Sequence, residues 1–179
     1  MMPAPAPRRV RATAAAMDLL RRLRATHGPL MLHQSGGCCD GSAPMCYPAG
    51  EFVIGDRDVL LGLLDLRLRT GEHPTTPAPS EDIAPVWISG PQFTAWQHTQ
   101  LVLDVVPGRG SGFSLESPEG YRFLSRGRVF ASTELDILST TEIITGETYD
   151  QGARPTPSPE PQVVAEAVDA CPVPGRETR

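Results

Sequence analysis

Lysine is missing from this chain, so all 16 of its cations are Arg, set against 21 acids. Residues 1–131 hold 13 Arg and 12 acids, net +1, while residues 132–179 hold 3 Arg and 9 acids, net −6. The acidic balance therefore belongs to the C-terminal end. A near-neutral body sets up no field that would hold a phosphate backbone, which argues against nucleic acid as a partner. No apolar run is long enough to span a membrane, and neither a Gly-X-Y period nor a sustained heptad pattern occurs, which excludes collagenous and long coiled-coil chains. Nor does a secretory signal open the chain. Met1–Arg9 is rich in Pro and Ala, its arginines come last, and no apolar stretch of the needed length follows before Arg21. A cytoplasmic protein is expected. In that reducing compartment the four cysteines read as thiols, ligands or packing groups, not as disulfide staples.

Proline is abundant: 19 of 179 residues, about twice the average usage of roughly 5%. Three prolines fall in Met1–Val10 and six between Gln151 and Arg179, whereas Glu51–His73 and Gln92–Val106 contain none. The distribution predicts a disordered N-terminus over residues 1–9, a single α+β domain over 10–131 and a mostly disordered, acidic, Pro-rich tail over 132–179.

From Val10 to Thr26 apolar residues recur at steps of three and four, which predicts an amphipathic helix that Gly28-Pro29 stops. Arg8, Arg9, Arg11, Arg21, Arg22 and Arg24 then read as its solvated face. Leu30–Ser35 and Glu51–Ile54 read as strands. Val59–Leu68 is apolar throughout and fits helix or strand, and the prolines of His73–Pro85 predict an exposed loop. Val86–Ser89 looks extended. Phe93–Val106 reads as a long strand with His98 and Asp104 on one face, bordering solvent or a site. Pro107–Gly112 is expected to be a hairpin turn, with strands over Phe113–Glu116 and Tyr121–Phe130.

The segment His33-Gln34-Ser35-Gly36-Gly37-Cys38-Cys39-Asp40-Gly41-Ser42-Ala43-Pro44-Met45-Cys46 carries the most chemistry. It is a strand end followed by a glycine-rich loop. Thiolate and imidazole are the usual ligands of zinc, iron or copper, and Asp can add an oxygen, so His33, Cys38, Cys39, Asp40 and Cys46 supply the donors for one site, with His98 as a further ligand. The Cys-Cys-x6-Cys spacing matches no standard zinc pattern, and adjacent cysteines share a metal only where the chain is kinked. Two other readings stand beside it. The cysteines can be small buried packing groups, or Cys38 and Cys39 can be reactive thiols whose ionisation His33 or His98 assists.

Residues 28–46, Trp96–Gly110 and Gly112–Glu116 closely resemble the bacterial family known as domain of unknown function 779, a likeness that covers about Val10 to Phe130. The family has no established activity. Its members are often encoded beside aldehyde or acetaldehyde dehydrogenases, so the resemblance implies an accessory role in aldehyde metabolism, with an aldehyde dehydrogenase as partner. A more distant likeness is to the HesB-like, A-type iron–sulfur carriers, through Gly36-Gly37-Cys38, Gly112-Phe113 and Ser117-Pro118. That family's C-terminal Cys-Gly-Cys has no counterpart after Pro118, so Cys39 or Cys46 would have to stand in. This second likeness implies a compact, mostly antiparallel β-rich fold behind one N-terminal helix.

The expectation is thus a small α+β protein, more a binder than an enzyme, holding zinc, iron, copper or an iron–sulfur cluster on the Cys38–Cys46 loop. A thiol enzyme or aldehyde-responsive sensor is the alternative, and a dehydrogenase-interaction module with structural cysteines the third. An apolar strand face of this length also suits a homodimer.

Overall fold

Residues 10–27 do not form one helix. In the computed structural model, which describes residues 5–35, 43–109 and 112–170, Val10–Thr13 is a strand, β1, and the helix α1 runs over Ala14–His27. All four residues of β1 are buried. The strand lies inside a sheet, parallel to Leu101–Leu103 on one side and to Val163–Val164 on the other. The spacing of Val10 and Ala14 fits a helix face, but ladder bonds available on both edges decide for the strand. Thr13 ends it and caps α1, its hydroxyl accepting the Ala16 N–H at 3.2 Å. At the other end Gly28, at φ 81°, donates its N–H to the Arg24 carbonyl.

The remaining elements are β2 (Leu30–Gln34), β3 (Met45–Pro48), β4 (Val59–Asp65), β5 (Ile83–Ile88), α2 (Gly90–Trp96), β6 (Thr99–Pro107), β7 (Tyr121–Val129), α3 (Ser132–Ser139), α4 (Gly146–Asp150) and β8 (Val163–Val164). They build two four-stranded sheets, ordered β7-β6-β1-β8 and β3-β2-β5-β4. The fold is α+β. Both sheets are mixed, with parallel pairs beside the antiparallel ones that the likeness to the A-type carriers implies. Hairpin-like neighbours β6–β7, β2–β3 and β4–β5 are antiparallel, whereas β1–β6, β1–β8 and β2–β5 are parallel. Between β1 and β6 or β8 the chain passes through the other sheet, and between β2 and β5 it passes through β3 and β4; such long connections permit parallel pairing where a tight turn does not.

One core joins the sheets through α1. Met17, Leu20 and Leu23 of the helix pack with Ala12, Leu103 and Phe123 from one sheet and with Leu32, Cys46, Leu64 and Val86 from the other. A buried polar link also crosses between sheets, Ser125 Oγ donating to Gln34 Oε1.

Three further expectations are corrected. Glu51–Ile54 is turn and irregular chain, and the ambiguous apolar run becomes strand over Val59–Asp65. Phe113–Glu116 is not a strand, so β6 and β7 pair directly from Thr99↔Val129 to Pro107↔Tyr121. The arginines near the N-terminus are not simply a solvated helix face. Arg21 donates to the carbonyls of Leu66 and Leu68 at 2.8 and 2.6 Å, Arg24 bridges to Asp82 at 3.1 Å, and Arg11 donates to the Pro161 carbonyl at 2.8 Å. The planar guanidinium, with five donors, staples loops in a way that an ammonium cannot.

The expected disorder beyond residue 131 does not hold over 132–170. There α3, α4 and β8 form, Gln162 donates to the Asp65 carbonyl at 3.1 Å and accepts the Asp65 N–H at 2.9 Å, and Glu160 meets Arg8 and Arg11. Composition signalled proline and acid, but burial of two valines and pairing of the acid decide the outcome. Among the described residues, no helix is long and apolar enough to cross a membrane.

Candidate functional site

Strand alternation sorts the candidate ligands before any distance is considered. In the β2–β3 pair Leu32 faces Cys46 and His33 faces Met45. Directly opposed residues share a sheet face and neighbours along a strand do not. Cys46 therefore points into the main core with Leu32. His33 points to the other face, where its ring lies 4.4 Å from that of Phe52, itself stacked on Tyr47 at 4.7 Å. The two side chains are on opposite sides of one sheet and do not converge.

Cys46 is fully buried. Burial, with the Glu116 carboxylate nearby, pushes its thiol far above the ordinary range. Since only the thiolate binds metal or attacks, Cys46 behaves as a small apolar core residue. Its backbone belongs to a buried polar chain. The Cys46 N–H donates to Ser114 Oγ at 2.8 Å, Ser114 Oγ donates to the Glu116 carboxyl, and Glu116 accepts the Phe123 N–H at 3.4 Å. Burial raises the Glu116 carboxyl above its ordinary value. Ser114→Ala would strand two buried polar groups at once and is expected to cost about 1–3 kcal/mol. A urea unfolding midpoint equal to that of the unaltered protein would show that this chain of bonds contributes nothing.

His33 is 3% exposed, with both ring nitrogens engaged. Nε2 lies 2.9 Å from Asp58 Oδ2 and Nδ1 lies 2.8 Å from Ser35 Oγ. A carboxylate only accepts, so Nε2 carries a proton. In the neutral ring Nδ1 then presents its lone pair to Ser35, the last described residue before 36–42. Asp58 is itself fixed. Its Oδ2 also accepts the Gly55 N–H at 2.9 Å, and its carbonyl accepts the Gly146 N–H at 2.9 Å. Asp58 is the residue that sequence reasoning missed. It stands 25 positions from His33 in a Gly-Asp-Arg-Asp turn, and no local spacing announces the pair.

His98 is not on a strand. Pro91 near the start of α2 favours helix, so Phe93 and Trp96 are helical, and β6 begins only at Thr99. His98 is exposed in the intervening turn, and its carbonyl accepts the Phe130 N–H at 3.0 Å. Asp104 on β6 is spent elsewhere, accepting from Thr13 Oγ1 at 2.9 Å and pairing with Arg126. Cys38, Cys39 and Asp40 lie outside the described residues. Among the described residues, no group of three or more His, Cys, Asp and Glu side chains could hold a metal ion.

The arrangement left is a buried imidazole, oriented by a carboxylate, at the strand end that leads into a Gly-Gly-Cys-Cys-Asp sequence. No curated protein and no solved structure matches the chain. The family model described as "Domain of unknown function (DUF779)" matches residues 19–129, more than half of the chain, and the chain belongs to that family.

Proposed function

We propose that the protein binds a metal ion at the end of β2, through the thiolates of Cys38 and Cys39 with His33 Nδ1, and with Asp40 as an oxygen donor. The observation that carries this reading is the His33–Asp58 hydrogen bond. A ligating histidine commonly donates its other ring N–H to a carboxylate, which fixes the tautomer and makes the ligating nitrogen more basic. Asp58 does this at Nε2, leaving Nδ1 on the side of Ser35, three residues before Cys38. Two sulfurs, a nitrogen and an oxygen make a four-donor set suited to zinc, and also to iron or copper. Cys46 and His98 are not part of it. An iron–sulfur cluster fits less well, because the third thiol faces the other side of the sheet.

Metal analysis of anaerobically purified protein is the test. Zinc, iron or copper near one equivalent is expected, lost in Cys38→Ala/Cys39→Ala and retained in Cys46→Ala and His98→Ala. Metal at trace level only, or equal loss from the Cys46→Ala variant, overturns the reading. The same imidazole–carboxylate pair could instead serve as base for a reactive Cys38 or Cys39. Metal-free protein whose cysteine is alkylated fast at neutral pH, and slowly in His33→Ala, would favour that alternative. Accessory service to an aldehyde dehydrogenase in the cytoplasm is a proposal that rests on the family resemblance, and co-purification with such an enzyme tests it.

A further inference from the structure

β4 is the outer strand of its sheet, and among the described residues its free edge is covered at Leu60 by the Ile144 carbonyl and at Asp65 by Gln162. Between these points lies a cavity of about 400 Å3, within the range of roughly 300–1,000 Å3 usual for small-molecule sites. Its walls are mainly apolar, with Leu61 and Leu63 from β4, Leu138 from α3, Ile144 from the segment before α4, and Pro77 and Pro157 from two loops.

Three arginines also line it. Two are already engaged: Arg8 donates to the Glu160 carbonyl at 2.6 Å, and Arg154 to the carbonyls of Tyr149 and Ala153 at 2.9 and 2.7 Å. Arg9 is different. Among the described residues its guanidinium donates no hydrogen bond and forms no ion pair, and its one ring contact is with Phe93, at 5.2 Å. It is half-buried, and burial lowers its pKa. Its nitrogens keep contact with water, and a carboxylate at the cavity mouth would replace that contact with charge-assisted bonds. The acids on the same walls do not supply one. Asp65 is taken by Arg67 at 2.8 Å, and Glu142 is exposed at the rim.

We propose that this cavity binds a small amphipathic monocarboxylate, the head paired with the Arg9 guanidinium and the alkyl tail lying among Leu61, Leu63, Leu138 and Ile144. One unengaged fork matches one carboxylate, which it can grip with two parallel bonds. The apolar walls match a short hydrocarbon chain of about eight carbons. The site does not depend on the metal reading, since it shares no side chain with His33, Asp58 or the cysteines.

Octanoate and 1-octanol, titrated separately into the full chain and followed by amide chemical shifts, provide the test. Octanoate is expected to bind saturably and more tightly than octanol. Arg9→Gln should weaken octanoate by about tenfold or more while leaving octanol unchanged, as expected for a lost charge-assisted pair. Arg9→Lys should fall between the two. Ala78→Trp, which places an indole in the cavity from a loop, should abolish binding of both ligands without moving the unfolding midpoint. Equal binding of the acid and the alcohol, no effect of Arg9→Gln, binding that survives Ala78→Trp, or absence of saturable binding overturns the proposal.

Discussion

A chain cut after Arg154 is expected to lose about 5 kcal/mol or more of stability, close to the whole margin of roughly 5–15 kcal/mol that a small domain has. The losses add from separate sources. Val163 and Val164 are 1% and 5% exposed, and burial of each contributes about 1.5–3 kcal/mol. Removing Gln162 leaves the Asp65 N–H and carbonyl without their partners, and removing its carbonyl leaves the Ala12 N–H, which it accepts at 3.0 Å, unpaired in the middle of a sheet. Each buried group so stranded costs about 1–3 kcal/mol. Arg11, 8% exposed, would lose both Glu160 and the Pro161 carbonyl. Urea unfolding should show a much lower midpoint, and the Ala12 amide, protected from exchange in the full chain, should exchange rapidly. An unchanged midpoint would mean that residues 155–170 do not pack against β1.

Gly146→Ala should cost about 3 kcal/mol, at the upper end of overpacking effects. The demand is for space, not for an unusual backbone angle. A Cβ on Gly146 would stand 2.2 Å from the Gly55 carbonyl oxygen and 3.0 Å from its carbon. Backbone cannot step aside as a side-chain tip can. Gly146 also donates to the Asp58 carbonyl, and Gly55 donates to the Asp58 carboxylate. The strain therefore falls on the turn that holds Asp58 against His33. If the metal site is as proposed, the variant should bind its metal about tenfold more weakly, the usual effect of disturbing a carboxylate behind a ligating histidine. Competition with a chelator measures this. A loss of stability with unchanged metal affinity would separate the turn from the site.

Much of the fold was legible in the sequence because local rules and tertiary contacts agree there. Gly28 ends α1 at a positive φ that favours glycine, Leu30–Gln34 is a strand, and three of the four prolines of His73–Pro85 lie in a loop, while Pro85 is in β5 and pairs with Leu63. Legibility failed where two local readings were equally good. Val10–Thr13 suits helix or strand, and only the neighbouring β6 and β8 choose. Phe93–Val106 alternates like a strand, but Pro91 starts a helix and takes Phe93 and Trp96 with it. Residues 155–164 have the composition of a disordered tail, yet Val163 and Val164 find a partner strand far away in sequence.

The candidate site divides in the same way. The sequence by itself determined the family, the α+β class and the presence of a His, two adjacent cysteines and an Asp at the end of β2, because these are properties of neighbours along the chain. Only the tertiary structure decided that Cys46 faces the opposite side of the sheet from His33, that His98 lies in an exposed turn and that Asp58 orients His33. Sheet faces and buried hydrogen bonds are set by which strands pair and in what register, and a shift of one residue reverses every side chain. Arg9 shows the same limit. Six arginines near the start of the chain look alike in sequence, and only the tertiary structure reveals that Arg9 is the one among them whose guanidinium makes neither a hydrogen bond nor an ion pair with the described residues.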